Sequence, residues 1–191
     1  MAVADHILAH TPGAVVSNLS STRALRDVAA RYGQAYTASA VGEVNVVAAM
    51  NHTNAVIGGE GNGGVIYPEL HAGRDALVGI ALFLTLLAKR GGSVSELRST
   101  YPNYEMVKAK IDLNPDWDAD ALMEKFAASQ AHLNPLTVDG VKLDLPSGWV
   151  HLRKSNTEPI IRVYAEAGTQ EDALKLVDSY KGDLLALAQS L

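Results

Sequence analysis

Apolar positions in the first hundred residues switch repeatedly between two periods. Residues 2–10 have the spacing of one short helix, stopped by Thr11-Pro12-Gly13. Residues 14–19 are a short apolar run that predicts a buried strand. Ser20 or Ser21 then caps a helix running to Tyr32, and Gly33 closes it. A second strand is predicted over 34–38, a helix from the Val41-Gly42-Glu43 turn through Met50, and a third strand over 54–57. Strands alternating with helices of about ten residues indicate an α/β layer structure with mostly parallel strands.

A long helix is predicted from Arg74-Asp75 to about Lys89, ended by Gly91-Gly92, and a short capped one over 93–99. Asp75 stands where a carboxylate favours the helix N-terminus. Tyr101-Pro102-Asn103 reads as a linker, which divides the chain into domains 1–101 and 102–191. Beyond it come a strand over 106–111, a helix over 118–131, and short strands over 136–138, 141–145, 148–152 and 160–165. A final helix over 169–189 is capped by Thr169. The predicted fold class is therefore a three-layer α/β domain with a mostly parallel sheet, followed by a small α+β domain with an antiparallel sheet.

Composition narrows the function classes. The 191 residues are 48% hydrophobic and 19% charged, with a net charge of −5, an ordinary globular profile. That charge argues against nucleic acid or an anionic membrane surface as the main partner. The chain has no cysteine, which suits a reducing cytoplasm. The longest apolar run, 76–88, is too short to span a bilayer, and the N-terminus lacks the basic start of a signal peptide. A cytoplasmic protein is expected.

Two stretches carry candidate chemistry. Arg153-Lys154-Ser155-Asn156-Thr157-Glu158-Pro159 is a polar loop between two strand-like runs, with Arg162 shortly after it. A guanidinium offers a planar fork, and Ser and Thr offer rotatable donors, which together suit a phosphate dianion. Pro159 restricts Glu158 and stiffens the exit. A polar hairpin turn with unrelated arginines is the competing reading. The second stretch is Gly58-Gly59-Glu60-Gly61-Asn62-Gly63-Gly64. Gly59, Gly61 and Gly64 satisfy a dinucleotide fingerprint, but Val65-Ile66-Tyr67 is strand-like where that fingerprint needs a helix. The remaining readings are a glycine-rich hairpin, or a loop that lets Glu60 and Asn62 reach sugar hydroxyls. His6 and His10 lie four apart but lack the intervening Glu of a zinc-protease helix, so a solvated pair is expected. Asp116, Asp118 and Asp120 sit at a helix head, where cap and dipole account for them.

The string Arg-x-Ser-Asn-Thr-Glu-Pro-x-x-Arg from Arg153 to Arg162 resembles the phosphate-binding loop of the α-D-phosphohexomutases, the phosphoglucomutase and phosphomannomutase family. Asp139-Gly140-Val141-Lys142, Gly148-Trp149-Val150 and Glu166-Ala167 are similar to the same last domain. Gly59-Glu60-Gly61-Asn62-Gly63 is similar to that family's sugar-binding loop, with Asn62 replacing the usual Ser and Gly64 a frequent His. Val41-Gly42 resembles the turn before a pocket residue, here Glu43 in place of His or Asp. Ser20-Ser21-Thr22-Arg23 falls where many members have Lys-Thr-Arg, although a surface helix arginine explains Arg23 as well.

The resemblance covers the latter half of such an enzyme, its third and fourth domains. The family's phosphorylated serine loop and metal-binding Asp-x-Asp-x-Asp loop lie in the earlier domains. An excised piece, inactive by itself with no catalytic residue of its own, is therefore expected. What the resemblance implies is transfer from phosphoserine to a hexose phosphate, passing through a hexose 1,6-bisphosphate that reorients. Mg²⁺ would be held by the missing N-terminal domains. Glu60, Asn62 and Glu43 would hold the sugar, while Arg153, Ser155, Asn156, Thr157 and Arg162 would hold the phosphate that is not reacting. A free-standing sugar-phosphate-binding module is the alternative expectation, and the preferred hexose is not readable from these motifs.

Overall fold

Val15 and Val16, neighbours on strand β1 (Val15–Asn18), face opposite sides of a sheet and enter two different apolar cores. The computed structural model describes residues 1–189 and falls into two units, Met1–Asn103 and Tyr104–Leu191. The sheet of the first unit has the order β2-β1-β3-β4, with β2 (Tyr36–Ser39), β3 (Ile57–Gly59) and β4 (Val65–Ile66). β1 pairs in parallel with β2 and β3, and only β4 is antiparallel. Helices α1 (Ala2–Leu8), α2 (Ala24–Arg31), α4 (Ala76–Arg90) and α5 (Val94–Ser99) supply the core that receives Val15. Helix α3 (Glu43–Thr53) covers the other face through Val46 and Met50. This is a three-layer α/β unit.

Local chemistry explains most boundaries. Asp75 caps α4 by accepting from the Val78 amide at 3.0 Å. Ser93 and Glu96 form a reciprocal capping box on α5. Helix α2 departs from expectation, because neither Ser20 nor Ser21 caps it. Ser21 donates to Asn18 Oδ1 at 2.9 Å instead, and Thr22 Oγ1 accepts from the Ala24 amide. The third strand is also displaced: Asn54 ends α3 in the left-handed region, at φ 51°, so the chain straightens only by Ile57. His6 is buried, with its ring edge-on to His10 at 5.2 Å, and is not part of a solvated pair. Arg23 is likewise 9% exposed, not a surface residue.

The second unit is a four-stranded antiparallel sheet in the order β5-β8-β7-β6. Its strands are β5 (Glu105–Asp112), β6 (Val141–Asp144), β7 (Gly148–Lys154) and β8 (Ile160–Ala167). Helices α6 (Ala119–Ser129) and α7 (Gln170–Ala188) pack on one face, where Leu152, Ile161 and Val163 meet Phe126, Val177 and Leu184. Thr169 caps α7 by accepting from the Asp172 amide. The strand expected over 136–138 is reduced to a single bridge between Leu136 and Lys142, after which the chain turns. Residues 190 and 191, the end of the second predicted domain, lie outside the described residues.

Candidate functional site

Each unit carries one of the two polar stretches. In the first, Glu60 follows β3 directly and opens a tight hairpin. Its amide donates to the Gly64 carbonyl at 2.9 Å, and the Gly63 amide donates back at 3.1 Å. Asn62 stands at the exposed tip, where its Oδ1 accepts from the Gly64 amide at 3.1 Å. The glycines serve the protein's own packing. A Cβ on Gly61 would lie 2.9 Å from the Ser20 carbonyl oxygen, and one on Gly64 would lie 2.5 Å from the Arg74 side chain. Helix-opening geometry is absent after Gly64, because β4 follows, so the dinucleotide reading fails structurally.

The Glu60 carboxylate turns inward and is only 5% exposed. It accepts from Asn18 Nδ2 at 3.2 Å and pairs with Arg74 Nη1 at 2.9 Å. Arg74 also pairs through Nε with Glu43 Oε2 at 2.8 Å, while its backbone amide donates to Glu43 Oε1 at 2.8 Å. The fold thus brings Glu43 and Glu60 onto one guanidinium. Bonds from the Arg74 amide and side chain hold the Glu43 carboxyl below the usual range. The same ion pair, together with Glu60, raises the guanidinium. Arg74 and Asn18 escaped the sequence reading, because nothing periodic links positions so far apart in the chain.

In the second unit the polar loop joins β7 to β8. Arg153 is the direct partner of Arg162 across the two strands. Opposite residues in an antiparallel pair share a face, and Leu152 and Val163 beside them enter the core. Both arginines therefore stand on the face away from α6 and α7. Lys110 on β5 is the next partner of Arg162, extending the row to three cations. Ser155 is buried, its Oγ 3.5 Å from Thr157 Oγ1 and 3.4 Å from Arg162 Nη2. Asn156 and Thr157 lie on the exposed turn.

Arg153 is aimed by the turn before β6. Its Nε lies 3.3 Å from Asp139 Oδ1, both side chains being mostly buried. Gly140, at φ +71°, lets that turn approach, since a Cβ there would lie 2.8 Å from the Arg153 Cα. The Asp139 carbonyl takes a 2.6 Å hydrogen bond from His151. Burial pushes the imidazole down to about 4, with Lys142 and Arg153 adding to the effect and Asp139 partly opposing it. His151 is thus neutral near pH 7 and donates through Nε2.

This arrangement of loops can be set beside known proteins. Residues 1–104 match the family model described as "Phosphoglucomutase/phosphomannomutase, alpha/beta/alpha domain III". Residues 107–180 match "Phosphoglucomutase/phosphomannomutase, C-terminal domain". The chain belongs to the phosphoglucomutase/phosphomannomutase family. It is 36% identical over 179 residues to a phosphoglucomutase/phosphomannomutase of Thermococcus kodakarensis, covering 92% of this chain and 39% of that protein. To a phosphoglucosamine/phosphogalactosamine mutase of Sulfurisphaera tokodaii it is 35% identical, covering 87% and 37%. A phosphoglucomutase/phosphomannomutase family structure from Burkholderia thailandensis superposes with a TM-score of 0.78 at 23% identity, covering 96% of this chain and 40% of that one. The chain spans about two fifths of the length of the curated relatives it matches.

The family implies a metal, and the donors among the described residues do not fit one. Among the described residues no three His, Asp or Glu side chains gather into a group that could hold an ion. Asp118 caps α6 by accepting from the Asp120 and Ala121 amides, and Asp120 pairs with Lys154. Among the described residues no helix is long and apolar enough to cross a membrane.

Proposed function

We propose that this chain is the substrate-binding portion of a phosphohexomutase that interconverts hexose 1-phosphates and hexose 6-phosphates through a hexose 1,6-bisphosphate. The observation that carries the reading is the pairing of Arg153 with Arg162 on one sheet face beside the Ser155 and Thr157 hydroxyls. Like charges directly opposite each other are destabilising. Two guanidiniums and two hydroxyls around one loop answer to a phosphate dianion. Arg153, Ser155, Asn156, Thr157 and Arg162 would grip the phosphoryl group that is not reacting.

Glu60, Asn62 and Glu43 would meet the sugar hydroxyls, with Arg74 as a further member. Glu60 already accepts two bonds and is nearly covered, so a hydroxyl would take its remaining lone pairs only as the hairpin gives way. The work of these residues is orientation, on which phosphoryl transfer chiefly depends. The phosphoserine and the Mg²⁺ site would belong to preceding domains of the same cytoplasmic protein.

Titration of a hexose 6-phosphate into the chain, followed by amide NMR, tests this reading. Shifts at residues 59–64 and 153–162 are expected, with no turnover in a coupled mutase assay. Shifts confined elsewhere would refute the site, and turnover would refute the dependence on preceding domains.

A further inference from the structure

Each cation around the phosphate loop already has a carboxylate of its own. Asp139 holds Arg153, Asp120 holds Lys154, Asp112 holds Lys110 and Glu158 holds Arg162. Three of these carboxylates stand on other elements: the turn before β6, helix α6 and strand β5. Glu158 alone belongs to the loop. Its Oε2 lies 2.8 Å from Arg162 Nη2, the same nitrogen that reaches Ser155 Oγ at 3.4 Å. A carboxylate oxygen thus occupies one side of the guanidinium that the Ser155 hydroxyl also meets.

We propose that Glu158 is an internal stand-in for the phosphate, holding Arg162 while the loop is empty and yielding it when a phosphate arrives. This rests on the phosphate reading of the loop and adds a residue to which no binding role has been assigned. The pair is half open to solvent, 33% exposed at Arg162 and 55% at Glu158, so it is a weak contact that a ligand can break. A phosphate dianion brings a second charge and more acceptor oxygens than the carboxylate it replaces. Glu158 also acts on Lys110, whose ammonium is raised chiefly by Asp112 and to a smaller degree by Glu158. Its negative charge therefore bears on two members of the cationic row. When phosphate leaves, the returning carboxylate keeps Arg162 from facing Arg153 and Lys110 without an anion. Entry by exchange weakens the grip slightly and eases release, which suits a bisphosphate that must be let go and taken up again.

The test is calorimetric titration of inorganic phosphate into the 191-residue chain and its Glu158→Gln variant. The amide keeps the shape and an acceptor but removes the charge. Phosphate is expected to bind about two- to five-fold tighter to the variant, the worth of an exposed ion pair. Combining it with Arg162→Gln should abolish that gain. The Glu158 side-chain carboxyl ¹³C resonance should move in step with the amides of residues 155–157 as phosphate saturates the wild-type chain. Equal or weaker binding to Glu158→Gln, or a carboxyl resonance that stays put, overturns the stand-in role. If Arg153→Gln still weakens binding in that case, the phosphate reading survives. Phosphate binding that is absent, or indifferent to both arginines, overturns the two together.

Discussion

Arg153 and Arg162 stand directly opposite each other on β7 and β8, two cations on one face with a hydroxyl-bearing loop at their end. Cross-strand register, not the loop string, creates that juxtaposition. Asp139 and Glu158 offset the repulsion between the two arginines, one carboxylate to each guanidinium.

Replacing Arg162 with Gln should therefore separate binding from stability. A charge-assisted contact to phosphate is worth about 1.5–3 kcal/mol, so affinity should fall roughly ten- to a hundred-fold. Unfolding free energy should change by no more than about 0.5 kcal/mol, because the side chain is partly exposed and one repulsion is relieved. Calorimetry and urea denaturation of the same sample read the two effects.

Gly140→Ala should damage both. The residue would be held at φ +71° with its Cβ against the Arg153 backbone. A loss of about 1–3 kcal/mol is expected by denaturation, along with weaker phosphate binding as Asp139 shifts away from Arg153. A variant of wild-type stability would show that the turn relaxes freely.

His151 makes the chain acid-sensitive. Its folded pKa is depressed to about 4 by burial, against about 6.5 when unfolded. Between those values the unfolded state binds the extra proton, so stability rises with pH. The contribution is complete above about pH 6.5 and is lost as pH falls toward 4, up to about 3 kcal/mol. Urea midpoints measured from pH 7 to 4 should fall more steeply in the wild type than in His151→Gln.

Arg74 bridges the two carboxylates of the sugar-side cluster. Arg74→Lys should not rescue Arg74→Met, because an ammonium cannot span Glu43 and Glu60 as the Nε and Nη1 positions do. Hydrogen exchange at residues 59–65 should accelerate in both variants. Protection equal to wild type in the lysine variant would contradict the bridging role.

Asp5 accepts hydrogen bonds from two tyrosine hydroxyls, Tyr32 at 2.7 Å and Tyr101 at 2.6 Å. Burial, then the bond to Asp5, drives the Tyr101 phenol well above its usual value. Tyr101→Phe should cost about 1–2 kcal/mol in a denaturant titration. Asp5→Ala should cost more, since it removes the carboxylate from both hydroxyls and leaves Tyr32 only the Asp5 carbonyl at 3.2 Å.

Sequence alone determined whatever is decided within a few residues along the chain. The caps at Ser93 and Thr169, the place of Asp75 near a helix N-terminus, the helix-ending Gly91, and the switch from a mostly parallel to an antiparallel sheet pattern were all readable there. So were the two polar loops and the family they resemble, because a loop string carries its chemistry in its own order. Local signals also misled where another partner or packing competed. Ser21 bonds Asn18 instead of capping α2, and His6 is packed inside instead of facing water.

Only the tertiary structure decided which charges meet. Glu43 and Glu60 converge on Arg74, and Arg153 takes its aim from Asp139, through backbone paths set by strand order and turn geometry. The register placing Arg153 beside Arg162 depends on how far two strands slide before their apolar residues match the helices above them. Electrostatic contacts follow distance in space, and that distance is settled by the burial of Leu152, Ile161 and Val163.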